Sequence, residues 1–345
     1  MTIKDLAKLT GYSVGTISRV MNDQPNVSPK TREAVLAAVK RYGFQLNATA
    51  KILKQQQTNS VLVVVKGMTS ELLTGLVRRI SNLFADTSYQ LDVDFIDEDD
   101  NEVLRAVRLC AEKKPRGVLF LGGNPQHFSE HFHDITVPCV LITNSAQDLD
   151  IPNLSSVTTD DRRAAEAAVD ALLEMGHREI AIIGGDRQVS DMSRRRWEGC
   201  RAALQRAGIA YDDRRDYCRA RYDYAGGYQA AQRLLTSKPD MTAIFAMSDV
   251  MAVGAIRLLR DQGRRVPEDV SVMGFDGLTI GEYLSPKLAT ITQNLKELAD
   301  RSVELLRQSM EHSAPAAHLT VPFTVNCKES ARSLTDAAHK ESERK

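Results

Sequence analysis

From Ser60 onward, short apolar runs alternate with amphipathic helical segments, and this alternation constrains the fold more than any other feature. The runs predicted as strands cover residues 61–65, 91–96, 117–121, 139–142, 156–159, 180–183, 242–246, 270–274, 289–292 and 321–325. Helical spacing predicts helices near residues 71–86, 101–113, 162–175, 194–207, 225–236, 249–262 and 294–310. Strands that are apolar throughout are buried on both faces, as in parallel sheets covered by helices. Ten such strands are too many for one ordinary sheet. We therefore expect two α/β subdomains with a ligand between them, beyond the carboxyl ends of the strands.

The first 46 residues have the pattern of a helix-turn-helix. Ala7, Gly11 and Ile17 supply a small residue where two helices cross, a glycine at the turn and a branched apolar residue that closes the core. Three helices are predicted, the first two over residues 3–10 and 14–21 and the third starting at Pro29. Their expected caps are Thr2 and Ser28, Gly43 is the expected stop, and the expected inner faces are formed by Ile3, Leu6, Ala7, Leu9, Ile17, Val20, Met21, Val35, Ala38, Val39 and Tyr42.

Charge is distributed unevenly along the chain. Residues 1–59 carry nine Lys or Arg against three Asp or Glu, a net charge of +6. Because the whole chain has a formal net charge of zero, residues 60–345 carry −6. A basic segment ahead of an acidic body is typical of a protein that binds nucleic acid phosphates through its N-terminal end.

Composition excludes several other classes. The five cysteines are dispersed and form no CxxC pair, so the sequence predicts neither a zinc cluster nor a redox motif, and no cofactor is expected. GxGxxG and P-loop motifs do not occur, which leaves nucleotide chemistry unsupported. The chain starts directly with a helical pattern and has no apolar run long enough to cross a bilayer, so we expect a cytoplasmic protein with no membrane partner.

Two motifs are weighed and set aside. Gly11 to Gly15 match the GxSxG pattern of hydrolases, but that pattern requires a preceding strand, and here a helix precedes it. His127, Glu130, His131 and His133 could form a metal cluster, yet they lie in a short polar segment that is better explained as a solvated or interface helix. The sequence therefore predicts no catalytic residues and no metal site.

The segment TIKDLAKLTGYSVGTISRVMNDQPNVS closely resembles the headpiece of the lactose/galactose repressor (LacI/GalR) family of bacterial transcription regulators. The resemblance continues through NATAKIL, GHREIAIIGG, the RxxG stretch at Arg196–Gly199, AMSDVMAVGAI, VPEDVSVMGFDG and LATITQN, and so covers the chain to about residue 330. It implies an all-α helix-turn-helix headpiece joined to a periplasmic-binding-protein-like α/β core of two parallel-sheet subdomains. It also implies a homodimer that binds a palindromic operator in double-stranded DNA and responds to a small-molecule effector.

The resemblance implies specific DNA contacts. Val14, Gly15 and Arg19 match the positions of the recognition helix that face base edges, and Arg19 can contact guanine O6 and N7 with two hydrogen bonds. The alternative for Arg19 is a phosphate contact or a solvated charge. Ser13, Thr16 and Ser18 are candidate phosphate contacts, although Ser13 is also a natural N-cap.

Leu53 matches the hinge-helix leucine that wedges into the minor groove in this family, with Asn47 and Ala50 supporting the hinge. Apolar wedges unstack a base step and kink the duplex. The alternative is that Leu53 docks against the core. The chain has Lys54-Gln55-Gln56-Gln57 where the family often has a glycine, which allows a stiffer hinge.

Four residues match the family's effector contacts: Arg196 as a donor fork, Asp249 and Asp276 as acceptors and Tyr222 as a stacking ring. Gln293, from the subdomain crossover, is a further candidate. The alternatives are helix N-capping for Asp249 and a surface charge for Arg196. The loop that starts at Lys66 lacks the family's Pro and Phe-Phe pattern, and Asn144 stands where many members have an aspartate.

The expected organisation is a headpiece over residues 1–46, a hinge and linker over 47–59, an effector-binding and dimerisation core over 60–332 and a polar tail over 333–345. Within the core, we expect one subdomain from about 60–157 and 293–320 and a second from about 158–290 and 321–332. The expected function is an effector-controlled repressor whose effector is a sugar or sugar derivative. The alternatives are a sugar-binding receptor and a sugar-processing enzyme.

Overall fold

The computed structural model describes residues 3–21, 27–42, 58–68 and 70–334, which fall into two compact units, residues 1–57 and 58–345. Several sequence predictions lie outside the described residues: Thr2, Gly43, Asn47, Ala50, Leu53, Lys54 to Gln57 and the tail from residue 335.

The described residues of the first unit form three short helices, α1 (Ile3–Thr10), α2 (Val14–Met21) and α3 (Pro29–Arg41), which confirms the three predicted helices. Their common core is formed by Leu6, Ile17, Val20 and Val35, all at most 3% exposed. Ser28 caps α3, because its hydroxyl accepts a hydrogen bond from the amide of Thr31 at 3.2 Å.

Two side chains expected on the inner face of this unit are exposed instead. Leu9 is 54% exposed and Tyr42 is 39% exposed. Three short helices bury only the stripe of each helix that faces the other two, and both residues lie beyond that stripe.

The described residues of the second unit form two six-stranded sheets. The first sheet is entirely parallel and has the order β11-β5-β4-β3-β1-β2. Its strands are β1 (Ser60–Lys66), β2 (Gln90–Ile96), β3 (Gly117–Leu121), β4 (Cys139–Ile142), β5 (Leu154–Thr159) and β11 (His318–Val321). Helices α4 (Glu71–Phe84), α5 (Glu102–Lys113), α6 (Pro125–His131) and α13 (Leu295–His312) cover its two faces. Strands β1, β3 and β4 are buried almost throughout, which explains their continuous apolar sequence.

The second sheet has the order β12-β10-β9-β8-β6-β7 and is parallel except for β12, which pairs antiparallel to β10. Its strands are β6 (Ile180–Gly184), β7 (Tyr217–Arg219), β8 (Ala243–Ala246), β9 (Ser271–Asp276), β10 (Ala289–Gln293) and β12 (Phe323–Asn326). Its helices are α7 (Asp161–Glu174), α8 (Asp191–Arg206), α9 (Asp213–Asp216), α10 (Tyr224–Ser237), α11 (Asp249–Asp261) and α12 (Ile280–Tyr283). Each sheet, together with its helices, is called a layer. The two α/β layers, both made mostly of parallel strands, confirm the predicted fold class.

The chain passes between the two layers after β5, after β10 and between β11 and β12. The single strand predicted over residues 321–325 is wrong, because it is divided at Pro322 into two strands that belong to different sheets. Proline has no amide hydrogen to donate to a sheet, so the division falls at that residue. The short elements β7, α9 and α12 were not predicted, because they span too few residues to show a clear period.

None of the described helices is long and apolar enough to cross a membrane.

Candidate functional site

The carboxyl ends of the two sheets face each other. Tyr224, which begins α10, donates its hydroxyl hydrogen to Glu71 at the start of α4, at 2.6 Å. Arg221 lies 3.5 Å from Asp97 and 3.6 Å from Asp99 in the loop after β2, and it also pairs with Glu98. These loops follow strand ends in both layers, so they enclose the gap between the two carboxyl edges, called the cleft below. Ligands of open α/β sheets bind at this edge.

Arg196 lies on α8 and is 2% exposed, which excludes the alternative that it is a surface charge. Its Nε donates to Asp161 Oδ1 at 2.8 Å, its Nη1 donates to the carbonyl of Met247, and its guanidinium lies 3.6 Å from the centre of the Phe275 ring. The guanidinium is therefore held in one orientation before any ligand arrives.

Asp161 is the partner that the sequence analysis missed. It is 5% exposed and stands directly after Asp160, whose side chain caps α7. Its position directly after β5, at the carboxyl edge of the sheet, was the available signal, and the sequence analysis did not use it. A buried arginine needs such a counter-charge, because its guanidinium does not lose its proton.

Asp249 is completely buried, and both of its carboxylate oxygens are occupied by protein donors. Thr290 Oγ1 donates to Oδ1 at 2.6 Å, and the amide of Leu278 donates to Oδ2 at 2.6 Å. The alternative that Asp249 caps α11 is wrong, because Ser248 is the cap and accepts from the amide of Met251 at 3.3 Å. The structure thus places Asp249 beneath the cleft, where it braces the loop after β9.

Asp276 ends β9 and is half-buried. Gln293 Nε2 donates to its Oδ1 at 2.9 Å, while Gln293 Oε1 accepts from Thr159 Oγ1 at 2.9 Å. The backbone of Asp276 has φ of +124°, a region that side chains other than glycine rarely occupy. Such strain collects at binding sites, where the surrounding structure holds a side chain in a required direction.

Asp249 and Asp276 lie near each other in a part of the site where burial limits their contact with water. Burial, together with the nearby Asp276 carboxylate, raises the pKa of Asp249 to about 8. Burial also raises the pKa of Asp276 to about 6, although Arg196 and the hydrogen bond from Gln293 favour the ionised form. Two carboxyl groups this close share a proton near neutral pH, so the pair titrates as a unit.

Tyr222 contributes an aromatic ring to the same cluster. Its hydroxyl is 2.9 Å from Ser193 Oγ on α8. A side chain at Gly185 would place its Cβ 2.6 Å from the Tyr222 ring, so glycine is required where the ring crosses the loop after β6. Burial raises the pKa of the Tyr222 phenol, and the nearby Arg196 guanidinium partly opposes that shift.

In the first layer, the residues that follow β4 at the carboxyl edge are Thr143 and Asn144. Asn144 follows β4, is 6% exposed and lies 3.3 Å through its Oδ1 from Thr143 Oγ1. Thr143 has φ of +78°, which is unusual for a β-branched residue.

In the described part of the chain, no group of three or more His, Cys, Asp or Glu side chains could hold a metal ion. His127, one of the residues weighed as a metal ligand, bonds to Glu102.

In the headpiece, Val14, Gly15 and Arg19 are all exposed on α2. Ser13 Oγ accepts from the amide of Thr16 at 3.1 Å and lies 2.9 Å from Thr16 Oγ1, so Ser13 does cap α2. Both hydroxyls remain at the exposed start of the helix. The side chain of Ser18 and all of Leu53 lie outside the described residues.

Comparisons with known proteins match both parts of the chain. Residues 2–47 match the family model for bacterial regulatory proteins of the lacI family, and residues 169–331 match a periplasmic binding protein-like domain. The chain is 37% identical over 313 residues to the HTH-type transcriptional regulator MalR of Clostridium butyricum, covering 89% of this chain and 92% of that protein. It is 29% identical to catabolite control protein A of Priestia megaterium, covering 96% and 99% of the two chains.

Solved structures agree with these matches. A complex of the transcriptional regulator CelR with cellobiose has a TM-score of 0.70 and 30% identity, covering 96% of this chain and all of that one. A lac repressor dimer bound to operator and an anti-inducer has a TM-score of 0.71 at 24% identity, covering 96% and 99%, and shows the shared fold.

Proposed function

The chain belongs to the lacI family of bacterial regulatory proteins, and we propose on that premise that a neutral sugar in the cleft controls its affinity for operator DNA. As a member of this family, the protein is a DNA-binding transcription regulator under effector control and not an enzyme. The observation that carries the effector proposal is the cluster of Arg196, Asp276, Gln293 and Tyr222 at the carboxyl edge of the second sheet.

The chemistry of this cluster favours a sugar. Asp276 offers carboxylate oxygens to hydroxyl groups, Arg196 offers donors in a fixed orientation, and the Tyr222 ring offers an apolar face. Even with one proton shared by Asp249 and Asp276, the negative charge of these two residues and Asp161 exceeds the positive charge of the single guanidinium, so an anionic ligand such as a sugar phosphate would be repelled. The similarity to the cellobiose complex of CelR supports the same ligand class.

The effector acts on DNA binding through the relative placement of the two layers. We propose a cytoplasmic homodimer that binds a palindromic operator, with Val14, Gly15 and Arg19 at base edges and Ser13, Thr16 and Ser18 at phosphates. Leu53 would enter the minor groove between the two half-sites. A sugar can shift the equilibrium only by binding one arrangement of the layers more tightly than the other.

The direct test is selection of genomic DNA fragments by the purified protein at constant salt, repeated with cellobiose, maltose, ribose and glucose. We expect one palindrome to be enriched, and one sugar to change its recovery. Enrichment of no sequence under any condition would contradict operator binding, whereas enrichment that no sugar alters would contradict sugar control.

Replacing Asp276 by asparagine should weaken sugar binding by about 10- to 100-fold, because a hydrogen bond to a charged acceptor is lost. The same change should make the core less sensitive to pH. In the wild type, the pKa values of Asp249 and Asp276 are raised on folding, so the folded core binds protons that the unfolded chain releases. The stability from this pair is complete below the unfolded pKa near 4 and is lost as pH rises through 6 and then 8.

Urea unfolding at several pH values between 5 and 9 and calorimetric titration with the sugar found above measure both effects. Asp134→Asn serves as the control, because its carboxylate is 64% exposed and away from the cleft. A variant that keeps the wild-type slope of stability against pH would contradict the assigned pKa shifts.

Replacing Leu53 by alanine should reduce the bend of the selected operator while leaving the dimer intact. An apolar wedge kinks the duplex by unstacking a base step, and alanine is too short to do so. Gel mobility of circularly permuted operator fragments measures the bend, and an unchanged bend angle would exclude the wedge.

A further inference from the structure

We propose that Lys66 and His127 bind the effector from the first layer, opposite the Arg196 and Asp276 cluster. This inference rests on the proposed sugar-binding function of the cleft. Both side chains contact the carboxylate of Glu102, which is completely buried at the start of α5. Neither residue was predicted to contact the effector from the sequence.

Glu102 is fully engaged by protein donors. Lys66 Nζ lies 2.7 Å and His127 Nδ1 2.9 Å from Oε2, while the amide of Asn124 donates to Oε1 at 2.6 Å. The three donors come from the end of β1, the first turn of α6 and the loop after β3. A buried carboxylate is stable only with such partners, and it fixes the position of each of them.

The cluster lies where a ligand of this fold is expected. Strand β1 has β2 on one side and β3 on the other, so the connections that follow β1 and β3 diverge at this point of the carboxyl edge. Lys66 Nζ also donates to the carbonyl of Asp100 at 2.7 Å, in the loop whose Asp97 and Asp99 lie near Arg221 of the second layer. The cluster therefore borders the cleft.

Lys66 and His127 retain hydrogen-bonding capacity that the residues described by the structure do not use. The ammonium of Lys66 has three donors, and two of them are used by Asp100 and Glu102. When His127 donates from Nδ1 to Glu102, its Nε2 carries a lone pair, and no described residue bonds to that atom.

Their side chains are 13% and 24% exposed, whereas Glu102 is 0% exposed. A sugar hydroxyl could accept from Lys66 and donate to His127 Nε2 at once. The paired donor and acceptor suit a polyol better than a ligand with only acceptors.

The test is calorimetric titration of the full-length protein with cellobiose, maltose, ribose and glucose. His127→Asn is the informative variant, because the asparagine amide can replace Nδ1 as the donor to Glu102 but offers nothing at the position of Nε2. We expect its affinity for the bound sugar to fall about tenfold, with an unchanged melting temperature in the absence of sugar. His133→Asn, at a side chain 74% exposed, is the matched control and should bind normally.

A second measurement does not depend on a variant. Reductive methylation followed by mass spectrometry should show that the bound sugar protects Lys66, but not Lys296, whose side chain is 70% exposed. This inference is wrong if His127→Asn binds the sugar normally and the sugar leaves Lys66 unprotected. In that case a loss of affinity in Asp276→Asn would show that the proposed function still holds. If none of the four sugars bound the wild type, the proposed function would fail, and this inference with it.

Discussion

Replacing Asp161 by alanine should lower the free energy of unfolding of the core by about 3–5 kcal/mol. The change leaves the Arg196 guanidinium, which is 2% exposed, without its counter-charge. Arginine does not lose its proton in proteins, so the charge must either stay buried and unpaired or move out of the packed site over Phe275. Both outcomes favour the unfolded chain.

Removing the other partner of this ion pair should lower the free energy of unfolding by less. In Arg196→Met, the aspartate left behind can take up a proton, and burial already raises the pKa of Asp161. Arg196→Met with Asp161→Ala removes both charges and should be more stable than Asp161→Ala alone, since buried ion pairs are often replaced by apolar groups at little cost.

Denaturant unfolding followed by the fluorescence of Trp197, the one tryptophan of the chain, measures all three variants. Glu304→Ala, an exposed change on α13, should leave the transition unaltered. Equal losses for Asp161→Ala and Arg196→Met would show that the trapped guanidinium is not the dominant cost.

Replacing Arg19 by alanine should remove about 1–3 kcal/mol of discrimination at one base pair of each operator half-site, or about 5- to 150-fold in relative affinity. Arg19 is exposed on α2, and its guanidinium has the spacing to bond to both guanine acceptors in the major groove. A lysine at this position has no such fork, so Arg19→Lys should recover affinity for DNA in general but little of the discrimination.

Affinities for the selected operator and for single-base variants, measured over a range of salt concentrations, separate the two possible roles of Arg19. A base contact changes the ratio between sequences, whereas a phosphate contact weakens all sequences equally and lowers the salt dependence by about one counterion. Lys8→Ala, an exposed basic residue on α1, is the control. A uniform loss with a lower salt slope would reassign Arg19 to the phosphates.

The helices and most strands could be predicted because their signals are local. Ser28-Pro29 starts α3 through a side-chain cap and a fixed proline φ, and the apolar run of β1 marks a strand buried on both faces. The effector-site residues at the second sheet could be predicted for a related reason. Asp276 and Arg196 stand in short motifs that keep their order along the chain in the family that the sequence resembles.

Other features depend on residues that are distant in sequence and follow no period. Asp249 was predicted to face the ligand, and in the structure Thr290 and the amide of Leu278 each donate to one of its oxygens. The sequence alone shows that a carboxylate follows β8, but not which donors the fold brings to it. The division at Pro322 was also not evident from the sequence. Only the tertiary structure shows that the residues on its two sides belong to strands of different sheets.

By itself, the sequence determined the helix-turn-helix, the alternation of strands and helices and the family, because caps, turns and periodicity act between near neighbours. Tertiary structure alone decided that Asp161 holds Arg196, that Asp249 lies beneath the cleft and that Glu102 joins Lys66 to His127. A buried charge must find its partner wherever the fold places one, and that partner is set by packing in three dimensions.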